Sequence, residues 1–127
     1  MKAYLEKVAG PRLEELGITY SNAPFLVEIS SNEGLSLRGL TEQLMVDKAH
    51  TTRVVSKLID AGLVENRASG HEYSLYLTDE GREKAEAASV IFGEAWKSMF
   101  RDLTEEEKET LEEIFRKISK VIKEEVQ

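Results

Sequence analysis

Asp47-Lys48-Ala49-His50-Thr51-Thr52-Arg53-Val54-Val55-Ser56-Lys57-Leu58-Ile59-Asp60-Ala61-Gly62 is the stretch around which the chain is organised. Asp47 suits an N-cap, because its carboxylate can accept from backbone N–H groups that the first helical turn leaves without partners. Gly62 stands where a helix favours a left-handed residue at its end. Between them, Thr51, Val54, Val55 and Leu58 fall on one side at about 100° per residue. The other side carries Ala49, Thr52, Arg53 and Ser56, with His50 and Lys57 on its flanks and no acid before Asp60. A small, polar and basic face suits a helix lying in a DNA major groove. Arginine reads guanine edges, threonine and alanine methyls meet thymine, and lysine and histidine reach phosphates. This helix alone does not separate a groove helix from an ordinary amphipathic one; its surroundings do.

The chain has 127 residues and a net charge of −7. An acidic total argues against nucleic acid, but the acid is unevenly placed. Residues 34–77 are neutral overall, with Arg38, Lys48, Arg53, Lys57 and Arg67 against Glu42, Asp47, Asp60, Glu65 and Glu72. The excess lies in residues 1–33 and, above all, 78–127. Cysteine is absent, which excludes disulfides, thiol redox sensing and zinc–thiolate sites. No apolar run is long enough to span a membrane, and the N-terminus has no signal-peptide core, so a cytoplasmic, soluble protein is expected.

Upstream, residues 2–16 read as a helix carrying Leu5, Val8, Ala9, Leu13 and Leu16, with a kink or restart at Gly10-Pro11 and an end at Gly17. Thr19 is expected to cap a second helix reaching about Asn32, with Phe25, Leu26 and Ile29 inward. Leu35-Ser36 is too short for more than a one-bridge strand. Ser36 then caps a third helix, Leu37 to Met45, whose interior Gly39 costs about 1 kcal/mol against alanine. Val46-Asp47 is a tight turn into the basic helix, and the pair forms a helix-turn-helix. Beyond Gly62, Leu63–Asn66 and Glu72–Leu77 read as two strands joined at Ala68-Ser69-Gly70. A hairpin directly after a groove helix is a wing.

Thr78 caps a long helix, Asp79 to about Phe100, with Ala88, Ile91, Phe92, Ala95, Trp96, Met99 and Phe100 on its apolar side. Thr104 and Glu107 form a capping box. The last helix shows the stripe Leu111, Ile114, Phe115, Ile118, Val121 and Ile122. So apolar a terminal hairpin is expected to bury itself in a second copy of the chain. The predicted architecture is mainly α with a small β-hairpin wing, one domain over 1–127. Residues 34–77 form the winged helix-turn-helix, and 1–18 and 79–127 the dimerisation helices, Leu5 among their contacts.

These motifs, in this order, resemble the MarR family of transcriptional regulators over nearly the whole chain. Leu16-Gly17-Ile18-Thr19 with Phe25-Leu26, then Leu35-Ser36-Leu37 through Leu44-Met45-Val46-Asp47-Lys48, look like its second helix and helix-turn entry. The strongest match is Asp47–Arg53 with Leu58 and Gly62-Leu63-Val64, and Leu75-Tyr76-Leu77-Thr78-Asp79-Glu80-Gly81 resembles its strand-to-helix signature. The resemblance implies a cytoplasmic homodimer built from the first and last two helices, reading a pseudo-palindromic site. It implies repression relieved by small aromatic acids or other ligands between the dimer helices and the winged part. Three features depart from the family. Ser69 and His71 stand where its wing carries an Asp-x-Arg pair, in a turn about three residues shorter. The first helix lacks the long N-terminal extension, which would shrink the dimer interface. Gly39 replaces an acidic helix former.

The expected DNA-binding residues are Arg38, Lys48, Ala49, His50, Thr52, Arg53, Ser56, Lys57, Arg67 and His71. Arg53 and Thr52 are placed nearest the bases, and Arg38 and Arg67 on the backbone. Tyr20, Trp96 and Met99 are candidates for an effector pocket, although such residues at helical spacing are more often plain core. The competing reading is a winged-helix protein-interaction module with lost or weakened DNA binding. An enzyme is not expected: two histidines, no nucleophile–base pair and no metal-ligand spacing imply no catalytic site, metal or cofactor.

Overall fold

The computed structural model describes residues 1–68, 70 and 72–126. It divides into two compact units, residues 1–95 and residues 96–127. The first unit contains α1 (Lys2–Glu15), α2 (Ala23–Ser31), α3 (Leu37–Leu44), α4 (Lys48–Asp60), β1 (Val64–Asn66), β2 (Leu75–Leu77) and most of α5 (Asp79–Ser98). The second holds the end of α5 and all of α6 (Glu105–Val126). No helix among the described residues is long and apolar enough to cross a membrane.

The core of the first unit is drawn from every element in it. Leu13 of α1, Leu26 and Ile29 of α2, Leu40 of α3, Val55 of α4, Val64 of β1, and Leu75 and Leu77 of β2 are all fully buried. Ala85, Ala88 and Ile91 close it from α5. The periodicity that predicted the inward faces of α2 and α4 is therefore realised residue for residue.

Two helix ends follow one pattern. After α4, Gly62 adopts φ +76°, its N–H donates to the Ile59 carbonyl, and Leu63 N–H donates to the Leu58 carbonyl. After α1, Gly17 at φ +83° does the same, with Ile18 N–H reaching the Leu13 carbonyl. Each glycine frees the chain to turn back and satisfy carbonyls that the helix leaves open, while a leucine and its apolar partner beyond the turn stay buried together.

Of the kink or restart expected at Gly10-Pro11, the restart does not occur: α1 is one uninterrupted helix with Pro11 inside it. Gly10 supplies the reason, because without a Cβ it relieves the clash that a proline ring imposes on its predecessor. The second helix starts later than expected. Thr19 Oγ1 accepts from Asn22 N–H at 3.1 Å, but this closes a turn; the helix begins at Ala23, with Pro24 in its first turn. Leu35 forms the single bridge anticipated, to Leu75.

The strands are shorter than the alternation suggested. Antiparallel pairing runs Val64↔Leu77, Glu65↔Tyr76 and Asn66↔Leu75, so Leu63 and Glu72–Ser74 lie outside the ladder. Asn66 ends it by substituting its side chain for a strand partner: Oδ1 accepts from Ala68 N–H at 3.1 Å and Ser74 N–H at 2.9 Å. One further backbone bond, from Arg67 N–H to the Ser74 carbonyl at 2.9 Å, lies beyond the ladder, and Ser69 of the expected turn lies outside the described residues.

At the exit from the wing, Thr78 N–H donates to the Leu63 carbonyl at 3.1 Å and its hydroxyl to the Gly62 carbonyl at 2.7 Å. Thr78 Oγ1 also accepts from Gly81 N–H, capping α5. Here α5 meets the end of α4 so closely that a Cβ on Gly81 would overlap the Leu63 carbonyl.

In the second unit, Trp96 and Phe100 meet edge to face at 5.6 Å. The capping box forms as predicted: Thr104 N–H donates to Glu107 Oε1 at 2.9 Å, and Glu107 N–H to Thr104 Oγ1 at 3.1 Å. No residue of α6 is buried. Ile114, Phe115, Ile118, Val121 and Ile122 stand 47–58% exposed, an apolar stripe along one side of α6.

Candidate nucleic-acid interface

The site begins with how α4 is held. Asp47 adopts an extended backbone and its Oδ1 accepts from His50 N–H at 2.7 Å, fixing the first turn. One turn in, the buried Thr51 places its hydroxyl 2.9 Å from that of Thr41 on α3. The carbonyls of Leu37 and Asp47 lie within reach of the pair, so both hydroxyl protons have acceptors. This polar tie inside an apolar interface sets the position of α4 on α3, since a shift would strand a buried hydroxyl.

With that face docked, Lys48, Ala49, Thr52, Arg53, Ser56 and Lys57 are all exposed. Among the described residues, none of Lys48, Arg53 and Lys57 is in an ion pair. The Thr52 hydroxyl donates to the Lys48 carbonyl at 2.9 Å, leaving its lone pairs and methyl group to offer outward. His50 is only half exposed; its ring stands edge-on to Phe25 at 5.5 Å, at the flank of this face.

The other predicted cations are engaged. Arg38 Nε donates to Glu42 one turn along α3 at 3.1 Å, although both are well exposed. Arg67 sits on the outer face of the wing, 2.6 Å from Glu65, with its guanidinium 4.1 Å above the Tyr76 ring. The strand register explains the cluster, because Glu65 pairs with Tyr76 and side chains two apart share a face. Both arginines must leave a carboxylate before meeting a phosphate. Ser69 and His71 lie outside the described residues.

A second carboxylate ties the base of the wing. Glu33 accepts from Leu77 N–H at 3.2 Å and from Arg82 at 3.0 and 3.2 Å. The Arg82 hydrogen bond, then the Leu77 N–H, hold its carboxyl below the usual range. Sequence reasoning missed this clamp, because its members are 44 and 49 positions apart. It also placed Met45 as the last residue of α3; the helix ends at Leu44, and Met45 turns left-handed at φ +55°.

Of the effector candidates, Tyr20 belongs to the first unit, edge-on to Phe92 at 5.8 Å, and Trp96 and Met99 belong to the second. Tyr20 lines a groove of about 500 Å³ with Lys7, Gly10, Pro11 and Thr19. Trp96 lines one of about 360 Å³ with Lys97, Phe100, Lys108, Leu111 and Phe115. Leu5 of α1 is half-buried against the core. The described residues contain no cluster of three or more potential metal ligands.

Residues 16–72 match the MarR family. The HTH-type transcriptional regulator BilQ of Clostridium symbiosum (strain WAL-14163) is 31% identical over 113 residues, 85% of this chain and 77% of that protein. BilQ of Clostridioides difficile (strain CD3) is 34% identical over 85 residues, 65% of this chain and 55% of that protein, so this match spans about half the relative's length. A solved MarR protein from Peptoclostridium difficile DA00132 superposes with a TM-score of 0.78 at 29% identity, over 98% of this chain and 83% of that one. The Mycobacterium tuberculosis MarR family protein Rv2887, solved in complex with DNA, gives 0.75 at 26% identity over 91% and 88%. It has also been solved in complex with salicylic acid (TM-score 0.74, 28% identity, 92% and 89% coverage). With the wing, the caps and the strand-to-helix junction in place, and these relatives aligned across them, the chain belongs to the MarR family of winged helix-turn-helix transcriptional regulators.

Proposed function

We propose that the chain is a sequence-specific DNA-binding regulator, a repressor, that acts as a homodimer on a pseudo-palindromic operator. The observation that carries this is the outward face of α4: Lys48, Arg53 and Lys57 exposed and unpaired among the described residues, interleaved with Ala49, Thr52 and Ser56. Arg53 and Thr52 stand for base contacts, and Lys48, Lys57 and His50 for phosphate. The complex of Rv2887 with DNA supports this use of the fold. The uncovered stripe of α6 supports the dimer, since burying apolar surface contributes roughly 25 cal/mol per Å² before ordering costs. A two-fold dimer would set the two α4 helices about 34 Å apart, one turn of B-DNA, or a multiple.

Release by a small aromatic or anionic ligand fits the complex of Rv2887 with salicylic acid and the aromatic-lined grooves beside Tyr20 and Trp96. The test is a gel shift with DNA from upstream of the protein's own gene, wild type beside Arg53→Ala, with and without salicylate. Wild type should shift the DNA, the variant should lose the shift at equal concentration, and salicylate should weaken the wild-type complex. The net charge of −7 and the neutralised Arg38 and Arg67 favour the second reading, a protein-interaction module. Absence of any shift that depends on Arg53 would select it.

A further inference from the structure

We infer that Met45 is a DNA contact, its side chain lying against apolar atoms at the edge of each half-site, and so a specificity element beyond the polar face of α4. This rests on the DNA-binding reading above. Met45 is the one non-glycine residue at positive φ among the described residues, at φ 55° and ψ 44°. An L side chain is strained there, and glycine or asparagine is the usual occupant of such a helix end. The side chain returns nothing to the fold in exchange. It is 91% exposed, while Leu44 and Val46 on either side pack against the core. The backbone closes without it, through Met45 N–H to the Glu42 carbonyl and Val46 N–H to the Thr41 carbonyl.

Position supplies what the fold does not. Met45 lies in the turn between α3 and α4, two residues before the Asp47 cap. In a helix-turn-helix the start of the second helix meets base edges while the first crosses the phosphate backbone, so the turn between them overhangs the groove rim. The apolar atoms within reach of a rim residue are deoxyribose carbons and thymine methyls. An unbranched thioether adapts to such an uneven surface. Lys48 and Arg53, exposed just beyond, would hold the backbone and bases in register while Met45 fills the edge.

The experiment uses the full chain and a duplex enriched by wild type from a random library. Affinity is measured by fluorescence anisotropy for wild type, Met45→Gly, Met45→Asn and Met45→Leu, with a thermal melt of each. The glycine and asparagine variants should melt no lower than wild type yet bind roughly tenfold more weakly. Repeat selection with them should show relaxed preference at the outer half-site positions. Met45→Leu should stay within about threefold of wild type, and the salt dependence should not change, because no charge is altered. Replacing thymine by uracil at the outer positions then locates the contact. A loss seen in wild type but not in Met45→Gly assigns a thymine methyl, and no loss in either assigns deoxyribose. Glycine and asparagine variants that bind within about twofold of wild type with the same preference would overturn the inference while leaving the DNA-binding reading intact. A wild type that enriches no duplex would overturn both.

Discussion

Replacing Gly81 by alanine puts a methyl group where the backbone of residue 63 already stands. The new Cβ would fall inside the Leu63 carbonyl oxygen and 2.9 Å from its carbon, where carbon atoms prefer about 3.5 Å or more. Neither atom is the end of a flexible side chain, so α5 must retreat from the end of α4. Retreat breaks the Thr78 N–H bond to the Leu63 carbonyl and strains the Thr78 hydroxyl bond to Gly62. Two hydrogen bonds at about 1 kcal/mol each, plus roughly 1–3 kcal/mol of overpacking, outweigh the helix propensity that alanine gains, at most about 1 kcal/mol. The net loss is about 2–4 kcal/mol, or a fall in Tm on the order of 10 °C for a chain of this size. Gly93 on the same helix is the control, because a Cβ there meets nothing within 4 Å. Gly93→Ala should raise Tm by about 2–4 °C. Circular-dichroism melts of the two variants beside wild type decide the matter. Equal shifts in the two variants would show that the Leu63 carbonyl does not exclude a side chain at residue 81.

Three further outcomes follow from the same geometry. Ile118→Glu places a charge in the centre of the α6 stripe and should give a monomer or an insoluble chain by sedimentation equilibrium; a wild type that is itself monomeric at micromolar concentration would remove the stripe's proposed role. Lys57→Ala should weaken all DNA sequences alike and flatten the slope of log affinity against log salt by about one per chain, whereas Arg53→Ala should cost about 1–3 kcal/mol per half-site and relax sequence preference; indistinguishable variants would count against the division of roles. Glu33 is held below its ordinary value of 4.5 by Arg82 and the Leu77 N–H, so its stabilising effect is present above that value and lost as pH falls through the lower folded-state value. The Tm advantage of wild type over Glu33→Gln should therefore shrink on acidification from pH 7, and a gap that stays constant into the acid range would contradict it.

What was legible in the sequence was local. Asp47, Ser36, Thr104 and Glu107 announce helix starts because a cap is satisfied within three residues, and all four caps form. The buried faces of α2 and α4 were readable because helical periodicity survives without knowing the partner surface. Thr19 misled because its bond to Asn22 N–H serves a turn as well as a helix cap. Tyr73, Leu75 and Leu77 alternate as a strand should, yet beyond Leu75 only the bond from Arg67 N–H to the Ser74 carbonyl continues the pairing, because the Asn66 side chain takes Ser74 N–H. That is a choice between side chain and backbone which no periodicity records. The role of Gly81 depends on α5 meeting the end of α4, a distance set only by the assembled core. In the interface, the groove-helix face was readable from composition. The pairing of Arg38 with Glu42 and of Arg67 with Glu65 was written at short spacing but was overlooked. The exposed left-handed Met45 needed the backbone.

Two α4 helices presented by the proposed two-fold dimer would leave a symmetric mark on DNA. Hydroxyl-radical footprinting of the wild-type chain on the duplex it shifts should show protection arranged about a two-fold centre. The two α4 footprints should be centred about 10 base pairs apart, or a multiple of one turn, and both should disappear in Arg53→Ala. Protection on one half only, or a footprint that Arg53→Ala leaves unchanged, would contradict the account.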